Sequence, residues 1–190
     1  MHRPVMKNIL ITGSPGSGKT TLVRAIAHGL KDLCPAGFYT AEIRVNGMRQ
    51  GFELVSLSGE RRILSHVTFK GPHRVGKYGV DVSGFEEFLE ALPAPDPRCP
   101  VFIIDEIGKM EALSARFCRM AEDIFTSGIP CIATIAEKGN DWIETIKLRN
   151  DIEVTALTIK NRPVLAGQII SRMRTIANDR DEEKEEIPVG

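Results

Sequence analysis

The chain has little of several things that narrow a function. One tryptophan and two tyrosines occur in 190 residues, and 25 Lys and Arg stand against 25 Asp and Glu. Proteins whose main task is coating nucleic acid carry a large basic excess, so this balance argues against that class while leaving room for a local phosphate site. No apolar run approaches the 18 or so residues of a membrane span. The N-terminal stretch turns polar again directly after Asn8-Ile9-Leu10-Ile11-Thr12, too soon for a signal peptide. Cys34, Cys99, Cys118 and Cys131 lie far apart, with no Cys-x-x-Cys pair and no histidine at ligand spacing. They make neither a disulfide scaffold nor a metal site, and buried thiols in a reducing cytoplasm are expected. His28, His66 and His73 pair with no Ser or Cys that would suggest a triad. Internal repeats are lacking too, and 17 Gly with 11 Pro exclude a collagenous or wholly disordered chain.

What is present is an alternation of strand and helix signals. Asn8 to Thr12 reads as a buried strand, followed by a glycine-rich turn and a helix marked by Leu22, Val23, Ile26, Ala27, Leu30 and Leu33. Phe38 to Ile43 reads as a second strand, and Phe52 to Leu57 with Arg61 to Ser65 as a hairpin around Ser58-Gly59-Glu60. Residues 66–80 read as a loop, and Ser83-x-x-Glu86 as a capping box opening a helix. Four prolines between Pro93 and Pro100 break the chain. Then come strand Val101 to Ile104, a helix marked by Leu113, Phe117, Met120 and Ile124, strand Cys131 to Ile135, helix Trp142 to Leu148, strand Ile152 to Leu157 and helix Leu165 to Ile176. This order predicts an α/β fold, a mostly parallel sheet flanked by helices with an inserted antiparallel hairpin. One domain over residues 1–178 is expected, with residues 179–190 an acidic, disordered tail. Residues 179–186 hold six acids and two bases, so the rest of the chain is mildly basic.

Gly13-Ser14-Pro15-Gly16-Ser17-Gly18-Lys19-Thr20 satisfies G-x-x-x-x-G-K-[ST] between a strand and a helix. Glycines there let backbone N–H groups converge on phosphate oxygens, and the helix N-terminus adds partial positive charge. Lys19 is expected to reach the β- and γ-phosphates and the Thr20 hydroxyl to ligate Mg²⁺, with Thr21 beside them. The apolar strand Val101-Phe102-Ile103-Ile104 delivers Asp105 and Glu106 to its C-terminal end, where open α/β sheets bind ligands. Asp105 is placed on the Mg²⁺, and Glu106 is the candidate base that orients and deprotonates water.

Four segments carry a resemblance to a known family: Gly13 to Thr20, Gly37 to Phe52, Arg74 to Asp81, and Ile104-Asp105-Glu106-Ile107-Gly108-Lys109-Met110-Glu111. With Asn161-Arg162 they resemble the small P-loop nucleoside-triphosphatases that include the vertebrate cancer-related nucleoside triphosphatase and its bacterial and archaeal relatives. The resemblance implies a RecA-like sheet, with Walker segments at Gly13 to Thr20 and Val101 to Gly108. It also implies slow, base-tolerant, Mg²⁺-dependent hydrolysis of ATP, GTP and other nucleoside triphosphates to diphosphate and phosphate. Asn161 and Arg162 join the nucleotide-binding set, although Pro163 follows where the family often has an acidic or amide residue, which leaves any base contact open.

A further cation is expected near the γ-phosphate. Among Arg44, Arg49, Arg74, Lys77, Lys109 and Arg162, Lys109 is the first choice, three residues after Glu106, and Arg44 the second. Tyr39 and Tyr78 read as packing residues rather than base platforms, and Trp142 as a helix anchor. Two other readings stay open. A small-molecule kinase would use Lys70, Arg74 and Lys77 as a lid, though adjacent Asp and Glu favour water as the nucleophile. A nucleotide-dependent switch would act on RNA, DNA or a protein, but no nucleic-acid module is visible. A cytoplasmic monomer is expected.

Overall fold

The structure, a computed structural model, describes residues 6–93 and 101–185. The proline-rich break after Pro93, Cys99 and the last five residues lie outside them. Strands β1 (Asn8–Thr12), β2 (Ala36–Val45), β3 (Met48–Ser56), β4 (Arg61–His66), β5 (Arg74–Val75), β6 (Tyr78–Val80), β7 (Phe102–Ile107), β8 (Cys131–Ile135) and β9 (Ile152–Ala156) form one sheet. Helices α1 (Lys19–Gly29), α2 (Val82–Ala91), α3 (Ala115–Thr126), α4 (Asp141–Lys147) and α5 (Arg162–Glu185) flank it.

The sheet order is β5-β6-β4-β3-β2-β7-β8-β1-β9. From β2 to β9 the neighbours are parallel, and from β2 to β5 antiparallel. β8 stands between β1 and β7, the order of a RecA-like sheet. Residues alternate faces along each parallel strand: Leu10, Phe102, Ile104, Cys131 and Ala133 pack with α2, α3 and α4. Ile9, Ile11, Val101, Ile103 and Ile132 pack with α1 and α5. Such double-sided burial is what the continuous apolar runs required.

The antiparallel part is larger than the single hairpin expected. Asn46 and Gly47, both at positive φ, turn β2 directly into β3, a left-handed turn for which Asn-Gly is suited. Residues 74–80 form a second small hairpin, β5–β6, at the sheet edge rather than a loop. Gly37 lets β2 join β7: a Cβ there would sit 1.8 Å from the Ile103 carbonyl oxygen.

Helix α2 starts two residues earlier than the capping-box reading. Asp81 is its cap, its carboxylate accepting from the Gly84 N–H at 2.9 Å, while Glu86 accepts from the Ser114 hydroxyl at 2.8 Å. Ser114 in turn caps α3 by accepting from the Phe117 N–H. The last helix runs on to Glu185, through residues that composition assigned to the tail. Glu and Lys are good helix formers, so an existing helix propagates through them. The thiols are not uniformly buried: Cys131 is, Cys118 is half-buried and Cys34 is exposed.

Candidate active site

Strand β1 ends at Thr12, and the loop over residues 13–18 delivers the chain into α1. Gly16 and Gly18 take left-handed backbone conformations, φ 78 and 95°, which turn successive N–H groups toward one side of the loop. Lys19, only 8% exposed, donates to the Gly13 carbonyl at 2.9 Å and lies 3.8 Å from Glu106 Oε2. Its ammonium is held over the loop rather than extended into solvent.

Asp105 is fully buried at the end of β7. Its Oδ1 accepts from the Thr134 hydroxyl of β8 at 2.6 Å, and Oδ2 lies 3.4 Å from the N–H and hydroxyl of Thr40 on β2. The Thr20 side chain is near enough to favour the ionised form of Asp105. Burial pushes the Asp105 carboxyl up, while the hydroxyl and N–H donors oppose that rise. Glu106 is partly accessible. Burial raises its carboxyl, the Lys19 ammonium pulls it down, and neighbouring Asp105 raises it again. Carboxylate and hydroxyl are hard oxygen donors suited to Mg²⁺. Among the described residues no cluster of three or more His, Cys, Asp and Glu side chains forms a metal cage. A cation between Thr20 and Asp105 would take its other ligands from phosphate oxygens and water.

A cleft of about 760 Å³ opens in front of this group. The phosphate loop and α1 form its floor, Gly108 to Glu111 one side, and the antiparallel extension the far wall through Glu42, Arg49, Phe52 and Val75. Arg49 is fixed there: it pairs with Glu42 at 2.8 Å, donates to the Tyr78 hydroxyl at 3.0 Å and stacks on Phe52.

The structure brings together Pro15, Gly16, Gly18, Lys19, Thr20, Thr21, Glu106, Gly108 and Lys109 on the cleft wall, with Asp105 beneath. Gly13, Ser14 and Ser17 complete the loop without lining the cleft. Val101, Phe102, Ile103, Ile104 and Ile107 are buried in the core, so they deliver the carboxylates and do not meet a nucleotide themselves. Arg44 points away, exposed and paired with Glu42 and the Gly47 carbonyl, and Arg49 occupies the wall instead. A bulge between Ile43 and Arg44 shifts the alternation of β2 at that point. Asn161 is absorbed by the turn after β9, donating to the Ala156 carbonyl and accepting from the Thr158 N–H. Arg162 donates to the Ser17 carbonyl and lies against Gly18, bracing the loop from outside the cleft. Arg74 is held by the carbonyls of Phe69 and Lys77, and neither it nor Lys70 nor Lys77 lines the cleft.

Sequence reasoning missed four contributors. Thr134 was signalled, as the one polar residue of Cys131-Ile-Ala-Thr-Ile. Thr40 and Arg24 carried no distinctive signal. Glu111 lay within a quoted string, but nothing in it revealed burial at 5% exposure. Burial and the nearby Glu106 push its carboxyl up to about 8.

A phosphate loop facing strand-end carboxylates across an open cleft defines the class, a P-loop enzyme acting on nucleotides. Comparison with known proteins narrows this: the chain belongs to a family of nucleoside-triphosphatases, whose family model, described as NTPase, matches residues 8–170. Nucleoside-triphosphatase THEP1 of Thermotoga sp. (strain RQ2) is 42% identical over 167 residues, covering 87% of this chain and 95% of the Thermotoga protein. The human cancer-related nucleoside-triphosphatase is 38% identical over 183 residues, covering 87% of this chain and 95% of the human one. The crystal structure of THEP1 from the hyperthermophile Aquifex aeolicus matches with a TM-score of 0.77 at 36% identity, over 87% of this chain and 98% of that one. The solution structure of the human protein matches with a TM-score of 0.72 at 35% identity, over 88% and 97%. The chain is therefore an enzyme, a nucleoside-triphosphatase.

Proposed function

We propose that the enzyme hydrolyses nucleoside triphosphates of several bases, slowly and with Mg²⁺, to the diphosphate and phosphate. The observation that carries this reading is the convergence of Lys19, Thr20, Asp105 and Glu106 at the C-terminal ends of β1 and β7, with Glu106 open to the cleft and Asp105 beneath it. Lys19 leaves Glu106 for the phosphates when nucleotide enters, since both partners compete for one ammonium. Glu106, relieved of that ion pair, accepts a proton from the attacking water. Thr20 and Asp105 would hold Mg²⁺, which would supply charge neutralisation on the triphosphate. Lys109, exposed and without an ion-pair partner among the described residues, is placed to add a further positive charge.

Base tolerance is supported by Asn161, whose amide spends one N–H and one lone pair on its own turn rather than standing free toward the cleft. Low turnover is supported by Arg49 and Arg162, both tied to protein groups rather than aimed at the γ-phosphate. A P-loop GTPase without an arginine at the transferring phosphoryl turns over at roughly 10⁻⁴ per second. The test is steady-state release of phosphate from ATP, GTP, CTP and UTP, side by side, with Mg²⁺ and with EDTA. Similar rates on all four, lost in EDTA, are expected. Strict preference for one base, or metal-independent turnover, would overturn the reading.

A further inference from the structure

Hydrolysis needs room in front of Glu106 for one water, about 30 Å³ of liquid volume. The cleft there holds about 760 Å³, within the roughly 300–1,000 Å³ of pockets that enclose a small-molecule ligand. The topology decides which end of it is spare. The sheet runs β3-β2-β7-β8-β1 across this region, with the phosphate loop after β1 and Glu106 at the end of β7. In phosphoryl transfer the attacking and leaving oxygens lie roughly in line through the phosphorus. A diphosphate leaving on the β1 side therefore faces a nucleophile arriving from the side of β2 and β3. That side carries a wall, formed by Glu42, Arg49, Phe52 and Val75.

Protein contacts hold this wall in place. Glu42 and Phe52 stand opposite each other in the β2–β3 register, so they share a face. Arg49 spends Nε on the Tyr78 hydroxyl and Nη1 on Glu42, which leaves Nη2 to donate. Phe52 and Val75 add apolar surface beside it. Two cations to which hydrolysis gives no task also line the cleft, Arg24 and Lys138. Arg24, one turn along α1 from Thr20, lies over the Tyr39 ring at 5.0 Å, and Lys138 follows β8. Among the described residues neither has a carboxylate partner.

We propose that the part of the cleft facing β2 and β3 is an acceptor site, and that the enzyme also transfers the γ-phosphoryl of its nucleotide to the hydroxyl of a small anionic alcohol. The proposal rests on the reading of Lys19 as the phosphate ligand and Glu106 as the base. The acceptor oxygen bonds to the γ-phosphorus as the bond from that phosphorus to the β–γ bridging oxygen breaks. The hydroxyl proton passes to Glu106, and the diphosphate leaves with the bonding electron pair. The products are a nucleoside diphosphate and a phosphate ester, and no further reactant is needed. Arg49 Nη2 donates to a second oxygen of the acceptor, Phe52 and Val75 cover its carbon skeleton, and Arg24 and Lys138 attract its phosphate or carboxylate group. Hydrolysis is what the same site does when water takes the acceptor's place.

The test incubates the full chain with Mg²⁺ and ATP labelled with ³²P at the γ-phosphate. Separate reactions add ribose 5-phosphate, glycerol 3-phosphate, glycerate, ribose or glycerol, and labelled esters are separated from phosphate. Label is expected in the ester of at least one of the three anionic alcohols, at about ten times or more the amount found with the neutral two, which tenfold weaker binding would give. Phosphate release should fall as that ester forms. Label confined to phosphate with every acceptor overturns the proposal, and equal transfer to ribose and glycerol overturns the anionic class. Arg24→Gln combined with Lys138→Gln should raise the KM of the acceptor about tenfold, while that of ATP moves less than about threefold. An equal rise in both assigns the two cations to the nucleotide and sinks the acceptor site. Failure of the base reading shows separately, as phosphate release from ATP alone retained in Glu106→Gln.

Discussion

Lys19 sits at the centre of the cleft, 2.9 Å from the Gly13 carbonyl and 3.8 Å from Glu106. A charge-assisted hydrogen bond to phosphate contributes about 1.5–3 kcal/mol, so Lys19→Ala should weaken nucleotide binding by roughly tenfold to a hundredfold. Equilibrium titration with a fluorescent nucleotide reads this directly, and unchanged affinity would remove Lys19 from the phosphate site. Glu106→Gln separates binding from chemistry. Affinity should stay within a few-fold, while turnover drops about a hundredfold or more, the usual contribution of a positioned base. Full activity in that variant would exclude Glu106 as the base. At this scale the motif residues were legible, because phosphate binding demands a fixed spacing of glycine, lysine and hydroxyl. Glu111 was not, because burial depends on which segments pack over it, and no local pattern records that.

Helix α2 shows how an element is started by a residue outside its own pattern. Ser83 and Glu86 matched a capping box, yet Asp81 caps the helix and Glu86 bonds Ser114 instead. Asp81→Ala should cost about 1 kcal/mol, the typical value of a lost cap, visible as a lower urea midpoint. Ser83→Ala should leave that midpoint nearly unchanged. The reverse result would restore Ser83 as the cap. Gly37 is the corresponding constraint between strands. A methyl there meets the Ile103 carbonyl at 1.8 Å on a backbone with φ +122°, so Gly37→Ala has to displace β2 from β7. A loss of several kcal/mol, or failure to fold, is expected. The parallel strands and their helices were legible as alternating apolar runs. The β5–β6 hairpin was not, since strands of two and three residues are made by pairing at an edge, not by a sequence period.

Across the whole molecule, the acids gathered at the site set a pH dependence of stability. Glu111 titrates at about 8 in the folded chain against a reference of 4.5. Between those values the folded state keeps a proton that the unfolded state has released. Stability therefore falls as pH rises through that window, with a limiting slope of about 1.4 kcal/mol per pH unit. Urea denaturation at pH 5, 6, 7 and 8 should show wild type losing stability relative to Glu111→Gln, whose side chain does not titrate. Parallel curves would mean that Glu111 is ionised throughout. Asp105 and Glu106 are shifted in the same direction by burial and remain in both proteins, so the difference reads Glu111 together with its coupling to them.

From the sequence alone came the sheet with helices on both faces, the phosphate loop and the strand-end carboxylates. Each follows from short-range rules: a hydrophobic period, a glycine spacing, an apolar run stopped by charge. Only tertiary packing decided that Arg49 rather than Arg44 walls the cleft, that Asn161 serves its turn, and that Glu111 is buried against Glu106. Those outcomes depend on strands and turns far apart in the chain coming into one place, where burial and neighbouring charge, not residue type, set what a side chain can do.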